Sequence, residues 1–118
     1  MNNPLVTIYI TSHNYEDYIN EAIESALNQT YDNIEIIICD NGSTDGTKNV
    51  ISEIISSHED IIYLNFSENE SITSRHNHCI GLAKGQFVSV LFGDDYYDLY
   101  KIEKQVTAFA ELDSSWGV

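Results

Sequence analysis

The stretch Ile34-Glu-Ile-Ile-Ile-Cys-Asp-Asn-Gly-Ser-Thr-Asp-Gly-Thr47 decides the fold class. Its first six residues are almost all apolar. That pattern belongs to a strand covered on both faces, not to one with a wet side. The run gives way at Asp40 to a string of turn formers, Asn41 to Gly46. Val50, Ile51, Ile54 and Ile55 then recur at helical spacing. Strand, polar loop and amphipathic helix follow one another within about twenty residues, the order of a parallel α/β unit.

The same unit repeats on either side. Upstream, Leu5 to Ile10 reads as a strand and Thr11-Ser-His-Asn14 as its polar exit. Tyr15, Tyr18, Ile19, Ala22, Ile23, Ala26 and Leu27 predict a helix over 15–28. Asn14 is the expected N-cap, with Glu16 and Asp17 favouring the dipole of the first turn. Downstream, Ile61 to Phe66 is a third strand, and Ile72, His76, Cys79, Ile80 and Ala83 mark one face of a third helix. Gly85 is expected to end that helix. Phe87 to Phe92 is a fourth strand, and Leu99, Ile102, Val106, Phe109 and Ala110 pattern a fourth helix. The β-α-β-α-β-α-β-α order implies a mostly parallel sheet, right-handed crossovers and helices on both faces. Ligands of such sheets sit beyond the C-terminal strand ends. Three polar stretches fall there: Thr11–Asn14, Asp40–Asp45 and Gly93-Asp94-Asp95.

Composition narrows the function. The 118 residues are 42% hydrophobic, enough for one domain, 1–118, with its own core. Against 19 Asp+Glu stand 5 Lys+Arg, a formal net charge of -14. That balance disfavours non-specific nucleic-acid binding and docking on anionic lipid. Cys39 and Cys79 lie in apolar patterns without zinc spacing and are expected to be buried reduced thiols. No apolar run approaches the ~20 residues of a membrane span. The N-terminus has no basic region of the signal-peptide kind. The expected location is cytoplasmic, at the inner face of the membrane where a full-length protein requires it.

Asp94 and Asp95 directly follow a strand expected to be buried. Like charges that close repel, so something positive should offset them. One reading is a helix cap. The other is a hard cation, Mn²⁺ or Mg²⁺, which takes carboxylate oxygens and shares its shell with substrate phosphates. Arg75, the chain's single arginine, stands early on the third helix. It is either a solvated surface residue or a bidentate donor to a diphosphate. The loop after Asp40 has the look of a calcium loop, but Ser52 stands where the bidentate Glu is required, so an EF-hand is rejected. Neither a G-x-G-x-x-G turn, a P-loop nor a G-x-S-x-G elbow is present.

The combination of "TSHN" (11–14), "EAIESALNQTYDNIEIIICDNGSTDGT" (21–47), "SRHNHCIGLAKGQFV" (74–88) and "LFGDDYYD" (91–98) resembles the N-terminal half of a family 2 glycosyltransferase of the Rossmann-like GT-A fold. The resemblance covers essentially the whole chain. It implies transfer of a sugar from a nucleotide-diphosphate donor to a glycan, lipid-linked or other hydroxyl acceptor, with inversion and with Mn²⁺ or Mg²⁺. By position it implies that Thr11 and His13 line the base and that Asp40 and Asn41 meet base or ribose. Arg75 would lie near the diphosphate, Asp94 near the ribose, and Asp95 would be the metal ligand.

Three departures qualify the match. His13 stands where the family commonly has Tyr; an imidazole can still stack on a base. Asn41 stands where a second Asp is usual, which opens the identity of the base while leaving uridine or thymidine expected. Phe92 replaces an acid two residues before Asp94, so the metal would lean on Asp95 and the donor's phosphates. The resemblance also implies a catalytic base and acceptor site beyond residue 118. The chain is therefore expected to be a truncated donor-binding domain, inactive alone and prone to homo-oligomerise through an uncovered sheet edge. A sugar-phosphate nucleotidyltransferase lacks its glycine-rich basic loop in "TSHNYEDY". A phospho-receiver module would place its acids after the first strand.

Overall fold

The computed structural model describes residues 3–66 and 72–115, and of 72–76 and 112–115 the backbone alone. Four strands and four helices alternate: β1 (Val6–Ser12), α1 (Ile19–Leu27), β2 (Ile34–Asn41), α2 (Thr47–Ile55), β3 (Ile62–Phe66), α3 (Ile72–Gly81), β4 (Phe87–Phe92) and α4 (Lys101–Ser115). The four strands form one sheet in the order β3-β2-β1-β4, and every pairing is parallel.

The two faces of the sheet are covered unequally. On one, Val6, Ile8, Ile10, Ile36, Ile38 and Leu91 meet Ile19, Ala22, Ile23 and Ala26 of α1, Ile51 of α2 and Ile102 of α4. On the other, Tyr9, Ile37 and Cys39 meet Cys79 of α3, with Leu64 and Ala83 packed alongside. Both cysteines are buried and neither forms a disulfide, as their apolar setting implied. The near-continuous apolar run of β2 is explained: it lies inside the sheet with helices on both sides, and residues 36–40 are all buried. Among the described residues no helix is long and apolar enough to cross a membrane.

Three local expectations are corrected. The first helix begins at Ile19 rather than residue 15, with Tyr18 at its N-cap position and no side-chain cap. Asn14 adopts φ 57° instead, a left-handed conformation that Asn tolerates better than most residues, and its side chain turns to the β2–α2 loop. Glu16 and Asp17 therefore precede the helix, and Glu21 is the acid of its first turn. Gly85 does not end α3, which stops at Gly81. It lies against β1, where an added Cβ would sit 2.6 Å from the Thr7 backbone nitrogen. Leu99 precedes α4 and is exposed, while Ile102 and Val106 carry the helix onto the core.

Candidate functional site

β1 is the hinge of the topology. From it the chain passes to β2 and β3 on one side, then returns with β4 to the other. The gap between the exits of β1 and β4 is a topological switch point, where parallel sheets bind ligands. Register aligns the exits: Ser12 pairs with Asp40, and Thr11 pairs with Phe92. All three polar stretches thus leave the sheet at one edge.

The first two loops are laced together by hydrogen bonds between residues about thirty positions apart. The backbone N–H of Asn14 donates to Ser43 Oγ (2.9 Å), and Thr44 N–H donates to Asn14 Oδ1 (2.8 Å). Tyr15 N–H donates to Thr47 Oγ1 (2.9 Å) and Glu16 N–H to Asp45 Oδ2 (3.3 Å). Gly42, at φ 77°, supplies the reversal that only glycine takes without strain.

Three of the anticipated nucleotide residues meet here. Asn41 Nδ2 donates to Thr11 Oγ1 (2.9 Å), and His13 Nδ1 lies 2.8 Å from the Asn41 carbonyl oxygen. A carbonyl only accepts, so Nδ1 carries the proton in that contact. Nε2 lies 3.4 Å from Asn14 Nδ2. The His13 ring is exposed, with Nδ1 anchored on the backbone.

Asp40 behaves differently from Asn41, because neighbouring strand residues point to opposite faces. Its carboxylate is fully buried and accepts hydrogen bonds from Ser43 N–H (3.0 Å) and from the Ser43 hydroxyl. Burial, and then the Asp40 charge, push the phenol of Tyr63 up to about 12, which places Asp40 over the core side of β3. Asp40 shapes the loop that presents Asn41; no part of it is exposed for a ligand. Sequence reading gave this work to none of Asn14, Ser43 and Thr47, and assigned Asn14 to capping α1 instead. Their only signal was that they are short hydrogen-bonding side chains in or next to the strand-exit loops.

Asp94 and Asp95 are exposed at the turn after β4. The turn is tied to β1 by Gly93 N–H donating to the Thr11 carbonyl (2.8 Å). A Cβ on Gly93 would come within 2.9 Å of Tyr15 Cδ2 and 3.3 Å of Ser12 Cβ, so the carboxylate turn is seated directly on the β1 exit. Asp95 Oδ1 accepts the Tyr96 N–H (2.8 Å). Among the described residues there is no cluster of three or more Asp, Glu, His or Cys able to hold a metal. Two exposed carboxylates fit a cation that draws its remaining ligands from water and a bound diphosphate. Arg75 lies in the first turn of α3, and its side chain falls outside the described residues.

Comparison with known proteins follows the same lines. Residues 7–117 match the family model described as glycosyl transferase family 2. An Escherichia coli UDP-Glc:alpha-D-GlcNAc-diphosphoundecaprenol beta-1,3-glucosyltransferase is 41% identical over 102 residues, covering 86% of this chain and 40% of that protein. Escherichia coli chondroitin synthase is 37% identical over 100 residues, covering 85% of this chain and 14% of that protein. The chain thus spans well under half the length of these relatives. Among solved structures, S. aureus TarS 1–349 in complex with UDP superposes with a TM-score of 0.78 at 22% identity, over 91% of this chain and 32% of that one. A Pyrobaculum calidifontis mannosyltransferase in complex with GDP-Man and Mn²⁺ superposes with a TM-score of 0.70 at 24% identity, over 82% of this chain and 29% of that one.

Proposed function

The chain belongs to glycosyl transferase family 2, and from that premise we propose that it is the donor-binding part of an enzyme that moves a sugar from a nucleoside diphosphate to a hydroxyl acceptor. The observation that carries the reading is the meeting of Thr11, His13 and Asn41 with the Asp94-Asp95 turn at one switch-point edge. A base would stack on His13 with its edge toward Asn41. Its diphosphate would extend along the β1 exit toward β4. That the glucosyltransferase relative is named for UDP-Glc, and that TarS was solved with UDP, support a nucleotide-sugar donor.

In this reading Asp95, with Asp94 beside it, would hold Mn²⁺ or Mg²⁺ jointly with the donor's phosphates. When bound, the ion supplies positive charge against the departing diphosphate. The chain's own residues bind and orient. His13 and Asn41 fix the nucleoside, Asp40 and Ser43 stiffen the loop beneath it, and the Gly93 turn sets the carboxylates against β1. Transfer breaks the anomeric C–O bond to the diphosphate, forms one to the acceptor, and sends the acceptor's proton to a general base. We place that base, and the acceptor site, in sequence following residue 118; inversion of the sugar is part of the same proposal. Neither a nucleotidyltransferase nor a receiver module is needed to explain an acidic pair at the end of the fourth strand.

The test is thermal stability with nucleotide and metal. Mn²⁺ and a nucleoside diphosphate together should raise the midpoint beyond the sum of their separate effects. Asp95→Ala should lose that synergy while keeping the shift from nucleotide alone. Equal synergy in both proteins would remove Asp95 from the metal site.

A further inference from the structure

The side-chain amide of Asn41 is held by two hydrogen bonds. Its Nδ2 donates to Thr11 Oγ1 (2.9 Å), and Cys39 Sγ–H donates to its Oδ1 (3.4 Å). Beneath them the buried phenol of Tyr9 and the thiol of Cys79 pack with Cys39 in the core. The geometry follows from register. Thr11 pairs with Cys39, Tyr9 lies two residues before Thr11, and Asn41 lies two residues after Cys39. All four side chains therefore rise from the same face of two adjacent strands.

Asn41 thus donates to Thr11 and accepts from Cys39. Its two partners are a hydroxyl and a thiol, each of which both donates and accepts. Both bonds of the amide can therefore be reversed. With the amide turned over, its oxygen accepts from Thr11 and its nitrogen donates to Cys39 sulfur, so the amide keeps both partners. Reversal exchanges one weak sulfur bond for another. The two partners fix where the amide sits without fixing which end is which.

We infer that Asn41 reads the edge of a nucleobase in either hydrogen-bond polarity, so that the site takes cytosine about as readily as uracil. The inference rests on the donor-binding reading above and departs from the uridine or thymidine preference expected from the family resemblance. Uracil offers an N–H at ring position 3 between two carbonyl oxygens, whereas cytosine offers a bare nitrogen there beside an amino group. A carboxylate in place of Asn41 could only accept. It would suit uracil and meet the cytosine ring nitrogen lone pair against lone pair.

Titrating UDP and CDP into the chain with Mn²⁺ present tests this. The wild-type dissociation constants should agree within about threefold, and Asn41→Asp should separate them by about tenfold or more in favour of UDP. A wild-type preference for UDP above about tenfold overturns the inference, and that ratio needs no variant to be folded. A ratio unchanged in a folded Asn41→Asp, verified by circular dichroism, also overturns it, because the residue is then not reading the base. Failure of wild type to bind either nucleotide overturns the donor-binding reading itself.

Discussion

Asp45 illustrates how one side chain joins two loops. It accepts from the Thr47 backbone (3.0 Å), from the Thr47 hydroxyl and from Glu16 N–H. These bonds, the Thr47 hydroxyl foremost, hold its carboxyl below the ordinary value of 3.8. A carboxylate whose folded-state pKa is depressed contributes stability that is complete above the unfolded-state value and lost as pH falls through the folded one. The urea midpoints of wild type and Asp45→Asn should therefore differ at neutral pH. They should converge as pH drops through 3.8 and below. A gap that stays constant down to acid would show that Asp45 acts by shape and not by charge. Asp40, equally acidic in sequence, is wholly buried on Ser43. Two aspartates of one loop thus serve the scaffold, while the neutral Asn41 between them bonds across to Thr11 at the exit of β1.

At the scale of elements, the segment before β4 depends on a close approach. Gly85 N–H donates to Thr7 Oγ1 (3.0 Å), and Thr7 in turn donates to Glu35 Oε2 (2.7 Å). A methyl on Gly85 would meet the backbone at Thr7 N (2.6 Å) and Phe87 O (2.9 Å). Gly85→Ala should cost about 1–3 kcal/mol, read as a lower urea midpoint at unchanged slope. Gly81→Ala, where nothing lies within 4 Å, is the control and should not lower it. A neutral Gly85→Ala would mean that β4 can shift along β1. Such contacts mark the boundary of what a sequence discloses. The β2 run and the Ile19, Ala22, Ile23, Ala26 stripe announced strand and helix, because burial repeats with the period of the element itself. The polar stretches holding Thr11, His13 and Asn41 stood out because strand exits are where parallel sheets bind, and the family resemblance singled out the residues within them. Asn14 could not be read correctly. Its choice between capping α1 and bridging to Thr44 is settled by a loop thirty residues away. Gly85 was misread for the same reason, its partner being Thr7.

For the molecule as a whole, unequal coverage of the sheet has a physical cost. On the α3 side of β4, Val88 and Val90 are each 41% exposed and Phe92 59%. β4 is also an edge strand of the four-stranded sheet. Exposed alternating apolar residues on an open edge favour pairing with another chain. The net charge of -14 opposes that pairing through long-range repulsion. Association should accordingly strengthen with salt, which screens repulsion and leaves apolar burial intact. Sedimentation should find species larger than monomer at high salt and protein concentration, and Val90→Lys should reduce them. A monomer throughout would contradict this account of the face.

The strand order also sets a schedule. β1, β2 and β3 are neighbours in sequence, so the laced loops that hold Thr11, His13 and Asn41 can form once Phe66 has left the ribosome. β4 arrives last yet must align Phe87 with Val6 at the other side of β1. That pairing closes a longer stretch of chain than the β1–β2 and β2–β3 pairings do, at a larger entropic cost. The β1–β3 part can therefore form before the Asp94-Asp95 turn is seated on β1, and the two halves of the exit edge come together only when β4 pairs.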